Sequence, residues 1–190
     1  MNDFEALVRR QRAHRAFAPD DVDEETIDAI VSAATFAPSA EKSQPWVFVV
    51  VRDRTMRERI GDVMAATWLQ AREYSRARLA ESLFAEVDAG LGSGSIAAAP
   101  VLIVVAVDRE LVHPGAIGSS AFPAVQNLLL AATARGLGSA LTTIATTHAE
   151  DLQSLLDLDP QHEPIAVIPI GHPARPLGPG RRQPPRVVRR

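Results

Sequence analysis

The chain has 190 residues, 46% of them apolar, a net charge of −3 and no cysteine. Without cysteine there is no disulfide, no thiolate metal site and no cysteine nucleophile. The apolar runs stop short of a membrane span, and Met1–Glu5 lacks the basic and apolar regions of a signal peptide, so one cytoplasmic domain over residues 1–190 is expected.

The first predicted helix covers residues 3–13, with Phe4, Leu7 and Val8 on one face. Asp23 reads as the N-cap of a second helix carrying Ile27, Ile30, Val31 and Ala34. The stretch Ala37–Trp46 (APSAEKSQPW) cannot continue a helix, because two prolines and a run of small polar residues break it. It is either an ordinary polar connection or an open loop whose Ser, Lys and Gln side chains hold a flat polar ligand. Val47–Val51 follows as an apolar strand, predicted to be buried on both faces. Two helices are expected from about residue 53 to 66 and 68 to 87, then a flexible Gly90–Ser95 connector. Pro100–Val107 reads as a second buried strand. Ala121–Arg135 is an apolar helix that Gly136 ends. Ser139–Ile144 is a third strand, Thr147–Glu150 a capping box for a helix to Leu156, and Ile165–Ile170 a fourth strand. Helices and buried strands mix without regular alternation, which points to α+β layers.

Charge is uneven. Lys42 is the only lysine among the 20 basic residues. Residues 173–190 hold six arginines, no acid and prolines at 173, 176, 179, 184 and 185, the composition of an extended arm. The five histidines show no ligand spacing, so no metal site is expected. Gly90–Ser95 lacks the last glycine of GxGxxG, and no GxSxG is present.

Four segments carry a family resemblance: Arg9–Phe17 (RRQRAHRAF), Pro38–Trp46, Pro123–Ala132 running into Gly136–Thr143, and Ile168–Pro173 leading to Arg181–Pro184. In this order and spacing they resemble the FMN-dependent nitroreductase family, from about Leu7 to Val188. Each motif alone is loose; four in order are specific for the family, not for a substrate. The resemblance implies an α+β fold with a central mixed β-sheet flanked by helices. It also implies an intertwined homodimer with FMN at its interface and residues 173–190 wrapped on the partner as a C-terminal arm. FMN would be the cofactor and NADH or NADPH the transient donor. A nitroaromatic, quinone or similar small molecule would be the acceptor in a ping-pong cycle. No nucleic acid, membrane or catalytic side chain is implied. A specialised flavoenzyme (dehalogenase, dehydrogenase of a biosynthetic intermediate, or flavin-fragmenting enzyme) and a protein that sequesters FMN stay open.

FMN presents a phosphate dianion, which guanidinium groups bind bidentately. Arg12 and Arg15, three apart, would share a helix face and match the arginine-rich motif, with Arg182 brought in by the arm. Gln11 and Ala13 stand where the family often has Arg and Ser, a loss of two hydrogen bonds worth roughly 0.5–1.5 kcal/mol each. Ser39 matches the cofactor-contacting serine. Lys42 replaces the usual Asn; its ammonium would raise the flavin potential, unless it extends to solvent. Gln44 and Trp46 read as loop closure and core packing. Thr142 and Thr143 match a place that supplies donors near the flavin's redox-active nitrogen, or are strand filler. Residues 65–95, with Trp68, Arg72, Tyr74, Arg76, Arg78 and Phe84, form either a lid over the ring or an amphipathic packing helix.

Overall fold

The computed structural model describes residues 2–92, 94–178, 180 and 182–190. Helix α1 (Asp3–Arg10) opens on a capping box, Asn2 accepting from the Glu5 N–H while the Glu5 carboxylate takes the Asn2 N–H. It ends three residues earlier than the spacing suggests, because Ala13 leaves to bridge Ser139. Helix α2 (Glu24–Ala34) starts at Asp23, whose carboxylate accepts from the Thr26 N–H at 2.7 Å. A 3-10 turn, Ala40–Lys42, leads into strand β1 (Trp46–Val51). The two helices expected next are one, α3 (Arg54–Arg76), followed by α4 (Glu81–Leu91). Gly90 and Leu91 belong to α4 and are buried, so the connector begins later than expected; its Ser93 lies outside the described residues. Strand β2 (Val101–Asp108), helix α5 (Ile117–Ala134), strand β3 (Gly138–Ser139), helix α6 (Ala149–Leu156) and strand β4 (His162–Gly171) complete the order. Gly136 takes a φ of +76° just past α5, as its C-cap role requires. The expected capping box at Thr147–Glu150 is absent: His148 occupies the N-cap without a side-chain bond, and a 3-10 turn over Ile144–His148 feeds the helix.

The strands form one sheet in the order β1-β2-β4-β3 with every ladder antiparallel. Among the described residues the parallel contact is the isolated Ala13–Ser139 bridge, so the mixed character expected of the sheet reduces to it. The third strand is shorter than expected, and Pro169 explains why. Gly138–Gly171, Ser139–Ile170 and Thr142–Val167 keep one register, which puts Ala140 opposite Pro169. Val167 exchanges both backbone bonds with Thr142 (3.1 and 2.9 Å), so the residue two places on also faces this strand. Pro169 has no N–H to give, and the ladder lapses there.

Side chains of β2 alternate between two cores. Val101, Ile103, Val105 and Val107 pack with α2 and α5 on one face. Leu102 and Val104 pack with α3, α4 and α6 on the other. Covering both faces explains the unbroken apolar run of β2. Strand β1, by contrast, is a half-buried edge: Val51 is buried but Val50 is 40% exposed, so the expected two-sided burial does not hold there. Beyond Pro173 the described residues carry no helix or strand.

Candidate functional site

The sequence-predicted residues fall into separate groups. The first lies on the extended segment after α1. His14 N–H donates to the Ser139 carbonyl at 2.9 Å, and Phe17 bridges Pro173, so this segment is threaded between β3 and the start of the tail. Arg12 and Arg15 are therefore not on a helix face. In extended backbone a spacing of three sends side chains to opposite sides. The Arg12 guanidinium donates to the Gly178 carbonyl. Arg15 turns to α4 and pairs with Glu86 at 3.0 Å. Between them, burial first and the Arg12 charge second hold the His14 imidazole below its ordinary pKa, with Glu86 opposing. Arg182 is exposed in the tail with its guanidinium against Gly180, and Arg181 lies outside the described residues.

The second group is the Ser39–Trp46 loop. Ser39 Oγ accepts from the Gln44 N–H at 3.0 Å, which leaves its hydroxyl proton to give. Gln44 thus closes the loop through its backbone. Glu41, Lys42 and Gln44 hold φ of 54°, 57° and 47°, a left-handed backbone that costs non-glycine residues energy. The loop is tied to the start of α5: Ala40 N–H donates to Ser120 Oγ at 3.0 Å and Trp46 Nε1–H to the Ser120 carbonyl at 2.7 Å. Trp46 also packs against the α2–α5 core, as expected. Lys42 is exposed, and Ser43 Oγ is buried without a partner among the described residues.

Two rulers measure the gap between these groups. From Ser120 to Ala134 along α5 is fourteen residues, or about 21 Å at 1.5 Å per residue. Along β2, Val107 faces Trp46 while Val101 faces Ile170, the partner of Ser139; six steps span about 20 Å. Within one chain the loop and the arginines stand at opposite ends of the core. Thr142 lies between, buried and paired to Val167, while Thr143 is exposed at the head of the 3-10 turn.

The aromatic and arginine side chains of α3 and α4 mostly satisfy one another. Asp88 accepts from Trp68 Nε1 at 2.7 Å and from Arg72 at 2.7 and 2.8 Å. The Arg72 bond first, then Trp68, hold the Asp88 carboxyl well below the usual carboxylate range. Arg76 lies over the Phe84 ring at 4.5 Å and Arg78 over Tyr74 at 5.1 Å. Trp68 and Phe84 are buried in the second core, so these two follow the packing alternative, while Tyr74 is exposed.

Cavities lined by described residues flank these elements, two of them bordering α3 or α4. The larger, about 920 Å³, lies between Asp21, Arg52, Arg57, Asp62 and Pro100 and includes none of the predicted site residues. Its Arg52 and Arg57 guanidiniums cap the carbonyls of Val22, Ala97 and Ala99. The smaller, about 120 Å³, is lined by His14, Arg15, Glu86, Ser95 and Arg175, cations facing one carboxylate. Glu86 and Ser120 were not legible as site neighbours, since each meets its partner across 71 or more residues of chain.

A family model for the nitroreductase family matches residues 8–172. The chain belongs to the nitroreductase family. Among curated nitroreductase relatives, a candidate NADH dehydrogenase/NAD(P)H nitroreductase of Methanothermobacter thermautotrophicus is 32% identical over 174 residues, 90% of this chain and 78% of its own. The 5,6-dimethylbenzimidazole synthase of Rhodospirillum rubrum is 30% identical and covers 98% of this chain and 93% of its own. Among solved structures, a candidate nitroreductase from Desulfovibrio desulfuricans in complex with FMN superposes with a TM-score of 0.73 at 29% identity, over 96% of this chain and 93% of its own. The nitroreductase match ends at His172, so the arginine-rich tail lies outside it. Among the described residues no helix is long and apolar enough to cross a membrane.

Proposed function

We propose that this chain, as a single domain over residues 1–190, is an FMN-dependent oxidoreductase that works as a homodimer and takes electrons from NADH or NADPH to a nitroaromatic, quinone or similar acceptor. The observation that carries the reading is the family match over 8–172, whose members include a D. desulfuricans relative solved with FMN. The donors present suit the group: guanidiniums for a phosphate, the Ser39 hydroxyl, whose proton is not used in accepting from Gln44, for a carbonyl oxygen, and the buried Ser139 hydroxyl without a partner among the described residues.

The division of the donors supports the dimer. A ribityl chain does not reach from the Arg12–Arg15 segment to the Ser39–Lys42 loop across roughly 20 Å of one protomer. A two-fold dimer that sets the loop of one chain against the arginines of the other would complete the site. Arg12, Arg15 and Arg182 would hold the phosphate end. Ser39 and Lys42 of the second chain would face the ring, with Thr142 and Thr143 donating near its redox-active nitrogen. Held by these residues, FMN would supply two-electron redox chemistry between the nicotinamide and the acceptor. The chain's part is to place donor and acceptor in turn at one face, exclude water, and set the local charge through Lys42.

The test is reconstitution. Apoprotein should take up one FMN per chain while eluting at twice the chain mass; a colourless monomer after FMN addition overturns the reading. A second reading, a specialised enzyme of the family, is favoured by the R. rubrum synthase covering 98% of this chain and by Gln11 and Ala13 in the arginine motif. A loaded protein that reduces no nitroaromatic or quinone supports it.

A further inference from the structure

Arg15, read above as a phosphate ligand, already has an anionic partner. Its Nη1 donates to Glu86 Oε1 at 3.0 Å, and the two side chains retain 20% and 33% of their exposure. Its aliphatic stem lies on Gly90, four residues beyond Glu86 and so on the same face of α4. A Cβ at Gly90 would stand 2.9, 3.1 and 3.3 Å from Arg15 Cδ, Cβ and Cγ, so glycine makes the groove that the stem fills. Ser95 Oγ donates to the Arg15 carbonyl at 2.8 Å. Helix α4 and the turn after it thus seat Arg15 by stem, backbone and charge. The seat opens on the 120 Å³ cavity that His14, Arg175 and Ser95 also line.

We propose that Glu86 sets the affinity for the phosphate end of the flavin by competing with the phosphate for Arg15. The inference rests on the reading of Arg15 as a phosphate ligand. A guanidinium that already gives an N–H to a carboxylate offers fewer donors to a dianion. A phosphate entering the cavity also brings like charge towards Glu86 in a partly desolvated place, where repulsion is stronger than in water. Either the carboxylate gives up Arg15 or the complex carries the repulsion, and both weaken binding of a phosphorylated flavin. Riboflavin has no phosphate and does not meet this term. Glu86 is therefore a specificity-determining residue, narrowing the preference for FMN over riboflavin below what Arg15 alone would give.

The experiment titrates FMN and riboflavin separately into apoprotein, followed by quenching of flavin fluorescence, for wild type, Glu86→Gln, Glu86→Ala and Arg15→Ala. Glu86→Gln should bind FMN about 3- to 10-fold more tightly and bind riboflavin as wild type does. Glu86→Ala should move the same way, so one well-folded variant, checked by circular dichroism, is enough to decide. Arg15→Ala should weaken FMN alone. Unchanged or weaker FMN binding in the Glu86 variants, beside a weakened Arg15→Ala, overturns the competition and leaves the phosphate role of Arg15 standing. An Arg15→Ala protein that binds FMN as wild type does removes that role and the competition with it. Equal tightening of FMN and riboflavin also overturns the proposal, because the effect would not act through the phosphate.

Discussion

Two defective chains should rebuild one working site when they pair. The arginine segment and the Ser39 loop lie roughly 20 Å apart along both α5 and β2, so a site that uses both takes them from different chains. Arg12→Ala combined with Arg15→Ala removes two charge-assisted contacts worth about 1.5–3 kcal/mol each, at least a 100-fold loss in FMN affinity. Ser39→Tyr, on extended backbone at a half-buried position, puts a ring where the flavin would lie. Each variant alone should purify with little flavin. Co-expressed with different tags and purified through both, the heterodimer holds one site with both defects and one with neither. Bound flavin, released by denaturation and measured by absorbance, should come to about half an equivalent per chain. A heterodimer as empty as either parent would refute the reasoning, because each chain would then supply its own complete site.

Further outcomes follow from single contacts. Lys42→Asn and Lys42→Met should both lower the flavin potential by roughly 20 mV or more, read by dye-linked reductive titration at one pH; equal potentials would mean that Lys42 stays in solvent, where the protomer shows it. Asp88 has its pKa depressed by Arg72 and Trp68, so its contribution to stability is present above the ordinary carboxylate range and is lost as pH falls below it. Wild type should therefore lose more urea stability between neutral and strongly acid pH than Asp88→Asn; identical losses would remove Asp88 as the cause. Gly171→Ala would set a Cβ 2.6 Å from the Pro100 ring and 3.1 Å from Phe17, so it should cost about 1–3 kcal/mol and lower the thermal midpoint by several degrees.

What the sequence shows is mostly what short-range physics controls. The buried strand β2, the Asp23 cap and the Gly136 stop follow from pattern and backbone freedom within a few residues. The failures come from distant partners. Arg10 ends α1 because Ala13 finds Ser139, which local helix propensity does not register. The third strand lapses at Ala140 because a proline 29 positions later faces it. Helix α3 runs unbroken through Ala66–Trp68, its Gly61 kept small by Ala97 Cβ, which a Cβ there would meet at 2.7 Å. For the site, residue types were legible through their motifs, but the Arg15–Glu86 pair and the separation of the two donor groups belong to the tertiary arrangement alone.

The central claim is that the chain binds a flavin and turns it over with a nicotinamide. Protein loaded with FMN, made anaerobic and titrated with NADH and then NADPH, tests it most directly. The account predicts stoichiometric loss of the oxidised flavin absorption with at least one of the two, and its return when a quinone is added. Full retention of that absorption in excess of both nicotinamides would contradict it.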